Sequence, residues 1–237
     1  MIFNILRSGY SPSEMIILAM SVILAAILAI VSHEVAHGYI ALKFGDPTAK
    51  LQGRLTLNPV AHFDLLGLAL LLLVGFGWAK PVPINPNNFK NYRKGMIWVS
   101  AAGVIVNVLL GFVFLFLLYI FAPLIFKGTA FGSVYLLKQF ALQFIIYAII
   151  INFILAFFNM LPIYPLDGFR LLSMYLKPGN RYAAFMYKYG LYVLFGVIIV
   201  GRFFSSLNIP FLDIFGTVYD LIYKLIMITI KAAGVGA

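Results

Sequence analysis

The decapeptide SHEVAHGYIA, Ser32 to Ala41, places two histidines and a glutamate at the end of a run with no other ionisable residue back to Glu14. Ionisable groups at membrane depth are expensive and usually functional. On a helix, His33 and His37 stand four apart on one face, close enough for both imidazoles to reach one tetrahedral metal ion. Glu34 is turned about 100° from His33 and can still act as general base toward a water at that ion. The chain holds three histidines, and two of them form this pair.

The surrounding composition is that of a membrane protein. Of 237 residues, 63% are hydrophobic and 10% charged, with a mean hydropathy of +1.03; soluble domains are about half apolar and about 25% charged. No polar block is long enough for a separate soluble domain. Cysteine is absent, which excludes disulfides and thiolate chemistry. The net charge of +10 lacks the basic runs of a nucleic-acid binder and reads instead as loop topology. The first apolar run is long and carries the most chemically loaded residues, which argues against a cleaved signal peptide.

Crossing a roughly 30 Å hydrocarbon core takes about 20 apolar residues. Residues 15–42, 95–126 and 139–166 meet that length, and 189–206 and 211–230 are weaker candidates. Residues 65–79 would make only about 23 Å of helix before the prolines of GWAKPVPINP, so they read as a re-entrant segment. With re-entry, Arg7, Lys127, Lys138 and Arg202 lie on one side and the other 13 of the 17 Lys and Arg on the opposite side. The positive-inside rule makes the richer side cytoplasmic. KLQGRLTLN, residues 50–58, alternates polar residues with Leu51, Leu55 and Leu57, which reads as a short β-strand or hairpin with Gly53 at a bulge or bend.

Two histidines leave a catalytic zinc one protein ligand short. His62, Asp64, Asp46, Asp167 and Glu14 are candidates. Asp167 stands out because NMLPIYPLDG ends a long helix; Pro162 and Pro165 unwind the chain, and Gly168 frees the backbone after the aspartate. His62 is the rival, and it also reads as an interfacial polar anchor. Small residues four apart mark three stripes: Ala25, Ala29, His33, His37 and Ala41; Gly103, Asn107 and Gly111; Ala148, Asn152 and Ala156, with Asn159 three further on. Such stripes allow close approach of membrane helices, with asparagines bridging between them.

HEVAH in the first helix, together with the NxxPxxxxDG pattern from Asn159 to Gly168, resembles the site-2 protease family of intramembrane zinc metalloproteases. GRLTLNP and GWAKPVPINP resemble loops of its compact bacterial-type members. The resemblance covers residues 30 to 172. It implies one Zn2+ per chain held by His33, His37 and Asp167, with Glu34 activating water. It also makes Asn107 and Asn159 better site candidates than Asn152. Where relatives have AGPxxN, this chain reads Ala102-Gly103-Val104-Ile105-Val106-Asn107, which keeps the asparagine and lacks the proline. Accessory PDZ or CBS-type domains are expected to be absent.

The expectation is an all-α membrane protein of about five transmembrane helices, one re-entrant segment and a short β-strand or hairpin at the cytoplasmic side. Residues 1–237 form one membrane-embedded metalloprotease domain, with its catalytic core at about 15–172 and C-terminal helices at about 189–231. The expected activity is zinc endopeptidase, cutting within transmembrane segments of other membrane proteins in the cell membrane, with the active site toward the cytoplasm. An exposed strand around Leu55 would hold the unwound substrate by strand addition. The competing readings are a metal-ion transporter and an inactive homologue acting as a binding protein. A transporter needs a polar path across the membrane and no glutamate beside the ligands, and the motif residues are intact.

Overall fold

The computed structural model describes residues 11–62, 64, 67, 80–127, 131–206 and 214–235. Its long helices are α1 (Pro12–Lys43), α3 (Tyr92–Phe126), α4 (Gly132–Asn159), α6 (Arg181–Ser206) and α7 (Ile214–Ala232), with short helices α2 (Thr48–Leu51) and α5 (Asp167–Ser173) between them. Four of them, α1, α3, α4 and Arg181–Gly201 of α6, are long and apolar enough to cross a membrane. Any 18 consecutive residues of α7 include Asp220, Lys224 and Lys231, so the fifth expected span is a helix that falls short on charge. The re-entrant segment expected at 65–79 lies outside the described residues, apart from Gly67, whose N–H donates to Asp64 Oδ1 at 2.9 Å.

Local chemistry sets the helix ends. Ser11 caps α1 in a reciprocal capping box with Glu14, and Pro12 occupies the first turn, where a missing N–H does no harm. The Asn91 side chain accepts the Lys94 N–H at 2.9 Å and starts α3. α4 stops at Asn159, three residues before Pro162. It begins at Gly132, seven residues before the apolar run, so Lys138 lies within the helix, with its amine donating to the Lys127 carbonyl at 2.8 Å.

The centre of the bundle is α1, α3 and α4, joined along the small-residue stripes. Ala25, Ala29, Ala41 and Ala148 are fully buried, and large side chains such as Ile16, Phe112 and Phe116 face outward. That is the distribution expected where the outside is as apolar as the inside and close backbone approach drives association. α7 adds Ile222 and Ile226 to the core formed with Phe114, Leu118 and Ile149. α6 packs on the turn after α4 through Met186 and Leu194 against Ile163, Leu166 and Phe169.

The strand expected at residues 50–58 is corrected by the structure, and no strand occurs among the described residues. The segment is the end of α2 followed by a turn, in which Gly53 has φ +65° and the Arg54 N–H donates to Ala49 O at 2.8 Å. Burial does not follow the alternation: Arg54 is buried, whereas Leu51 is 80% and Leu57 71% exposed. Asp46 organises the region instead, accepting bonds from Thr48, Asn85 and Asn88. Burial would raise its pKa, but these bonds hold the carboxyl below its ordinary value. With the strand goes the expected strand-addition role of Leu55.

Candidate metal centre

His33 and His37 project from one face of α1 with their Nε2 atoms 3.0 Å apart. Asp167 Oδ2 lies 3.1 Å from each of them. All three side chains are buried. Asp167 reaches them because the chain reverses after α4 and starts α5 at that residue, while Phe169, fully buried, anchors the turn. Gly168 serves close approach, not torsional freedom: a Cβ there would collide with the Met160 carbonyl. Gly103 has a comparable task on α3, where a Cβ would stand 2.5 Å from the His33 ring.

The outer nitrogens of the imidazoles are committed. His33 Nδ1 is 2.6 Å from Asn107 Oδ1 and His37 Nδ1 is 2.6 Å from the Val99 carbonyl. Both partners are acceptors, so Nδ1–H donates and the Nε2 of each ring faces Asp167. Asn107 is oriented in turn, since its amide donates to Ala29 O at 3.1 Å and to Asn152 Oδ1 at 2.8 Å. The two Nε2 atoms, 3.0 Å apart, thus converge with Asp167 Oδ2, 3.1 Å from each, on one buried point. A cation satisfies all three, and two nitrogens with one oxygen suit zinc with an open position. The donor set fits.

The other candidate ligands are engaged elsewhere. His62 is fully buried, and its Nε2 donates to Thr56 O at 2.8 Å. Asp46 and Asp64 accept the bonds already described, and Glu14 accepts from Ser11 and Tyr135. Among the described residues, His33, His37 and Asp167 form the one group of three such side chains able to share an ion. Glu34 follows His33 and accepts the Val82 N–H at 2.8 Å through Oε2. Asn107 lies against His33 through its Oδ1. Asn159 is half-buried and donates to Leu155 O of its own helix. Leu55 packs over Gly38, where a Cβ would be 2.8 Å from its Cδ2. Asn152, ranked below Asn159 on sequence, turns out to bond the residue that orients His33; its place in a small-residue stripe was the available signal.

Asn107→Ala is expected to weaken zinc binding about 10- to 100-fold, the usual effect of removing the partner that orients a ligating histidine. Competition against a chromophoric chelator measures it, with circular dichroism confirming the helix content.

A buried HExxH pair joined by an aspartate inside a multi-pass helical bundle defines a membrane metalloprotease. The peptidase family M50 profile matches residues 21–199, and the chain belongs to that family, the site-2 proteases. It is 42% identical over 159 residues, 67% of this chain and 70% of the relative, to the Bacillus subtilis (strain 168) protein named "Putative zinc metalloprotease YwhC". No solved structure matches it.

Proposed function

We propose that the protein is an intramembrane zinc endopeptidase that hydrolyses peptide bonds within transmembrane segments of other membrane proteins. The observation that carries this reading is the convergence of His33, His37 and Asp167 at the buried centre of the helices, beside Glu34. When bound, zinc supplies a Lewis acid that acidifies water and polarises the scissile carbonyl. His33, His37 and Asp167 hold the ion, while Asn107 and the Val99 carbonyl fix the rings. Glu34 takes a proton from the attacking water and returns it to the leaving amine. Leu55, packed against Gly38 beside His37, and Asn159, on the last turn of α4 before the turn that brings in Asp167, support the site. The side that carries Lys43, Lys50, Arg54, Lys80 and Lys90 is cytoplasmic, which puts the site near the cytoplasmic face. A transporter is disfavoured because the buried asparagines Asn107 and Asn152 bond to each other and to helix carbonyls and form no open polar path among the described residues.

In a helical substrate the scissile amide is hydrogen-bonded and screened by side chains, so cleavage needs local unwinding. The test is cleavage of single-span substrates by the purified protein in liposomes. Gly or Asn near the cytoplasmic end of the span is expected to speed cleavage about tenfold or more over a leucine-only span, since each Gly weakens a helix by about 1 kcal/mol. Equal rates would reject the unwinding step, and cleavage of neither would reject the activity.

A further inference from the structure

The extended segment Lys80-Pro-Val-Pro-Ile-Asn85 lies across the end of α1 that carries Glu34. Prolines have no N–H, so Val82 supplies the one backbone donor of residues 81–83, and it is bonded to Glu34 Oε2 at 2.8 Å. The carbonyl of that same peptide group, on Pro81, accepts from Arg54 Nη2 at 3.3 Å, and the neighbouring Lys80 carbonyl accepts from the same nitrogen at 2.8 Å. A guanidinium, one peptide group and a carboxylate are therefore strung in line. Each end of that peptide bonds a group that is ionised in its ordinary state, and the two bonds polarise it in the same sense.

Arg54 is only 9% exposed. No ion pair involves it among the described residues, and its Nε is buried without a partner. A buried charge left without a counter-charge is costly, and a staple between two loops could be made from neutral groups. The ends of the segment are in fact tied neutrally or by Asp46: Lys80 N–H donates to His62 O at 2.9 Å and Asn85 N–H to Asp46 Oδ2 at 2.7 Å. The cation sits where the segment meets Glu34. Val82 also lies directly on α1, since a Cβ on Gly38 would be 2.9 Å from its Cγ1.

We propose that Arg54 is a positioning residue for Glu34, acting through the Pro81–Val82 peptide group; this rests on the reading of Glu34 as the proton carrier. With Oε2 held by Val82, Oε1 is left to receive the proton. A water O–H bond breaks as its oxygen bonds the scissile carbon, the proton passes to Oε1, and it then moves to the amine nitrogen as the C–N bond breaks. Without Arg54 the peptide can rotate and the carboxylate loses its fixed orientation. A misplacement of about 1 Å lowers turnover by about 10²-fold, while substrate contacts are untouched.

The experiment compares wild type, Arg54→Gln, Arg54→Lys, Val82→Pro, the Arg54→Gln/Val82→Pro double variant and Glu34→Gln in liposomes with a single-span substrate. Val82 precedes Pro83 and is already confined to extended backbone, so proline there removes the N–H at little backbone cost, together with the Val82 side-chain contact at Gly38. Arg54→Gln and Val82→Pro are each expected to lower kcat about 10- to 100-fold, with KM within about twofold and zinc content at the wild-type level. Arg54→Lys should recover most of the loss, and the double variant should be no slower than the slower single one, because both changes break one chain of bonds. Multiplying deficits in the double variant, a normal kcat in either single one, or loss of zinc from a variant whose helix content is intact would overturn the proposal. Should Arg54→Gln not fold, Val82→Pro decides by the same criterion. An active Glu34→Gln enzyme would remove the underlying reading, whereas an inactive one beside a fully active Arg54→Gln would remove this inference alone.

Discussion

Glu34→Gln is expected to leave one zinc per chain and an intact helical bundle, yet to lower peptide-bond cleavage by about 10³-fold or more. The amide matches the carboxylate in size and leaves His33, His37 and Asp167 in place. Its oxygen can still accept the Val82 N–H, so the local geometry survives. Lost is the ability to take up a proton from water and release it to the amine, and such transfers contribute about 10²- to 10⁴-fold to rate. The loss should appear in kcat and leave substrate affinity nearly unchanged. Atomic absorption for zinc and single-turnover cleavage of a Gly-containing span measure the two quantities on one preparation. Cleavage within tenfold of wild type would end the assignment of Glu34, and zinc loss in parallel would make it a structural residue.

The sequence disclosed most where a residue had one physical use. Glu34 and two histidines in a lipid-grade helix left little besides metal chemistry, and the alanine and glycine stripes marked the faces that α1, α3 and α4 bury against one another. Asp167 was visible through the prolines that had to end α4 before it. The loops were less legible because alternation gives a period without saying which phase is buried. At residues 50–58 Leu51 and Leu57 point outward and Arg54 points in, the reverse of what hydrophobicity alone predicts at those positions, because Arg54 answers to carbonyls 26 and 27 residues away in sequence. The same holds for Asn152, whose partner Asn107 lies on another helix. Local periodicity contains no term for such contacts. α7 was ambiguous for another reason: Asp220, Lys224 and Lys231 lower its hydropathy, while Ile222 and Ile226 still enter the core.

Asp167→Ala should abolish both zinc retention and activity without unfolding the chain. Removing the carboxylate leaves two Nε2 atoms 3.0 Å apart and no anion, and a two-histidine site falls below the three protein ligands of catalytic zinc centres. After dialysis the variant is expected to hold less than about 0.1 zinc per chain, a drop of at least tenfold, with cleavage below detection. The fold should survive because the turn is anchored by Phe169, Ile163 and Leu166 in an apolar cluster with Met186 and Leu194. Circular dichroism on the zinc-free variant checks that point. His62→Ala is the matched control: its imidazole is bonded to Thr56 O, so its removal should leave zinc at the wild-type level. Full zinc in Asp167→Ala together with loss in His62→Ala would transfer the third-ligand role to His62. Full zinc in both would mean that neither side chain completes the site, and the convergence of His33, His37 and Asp167 would then lose its chemical meaning.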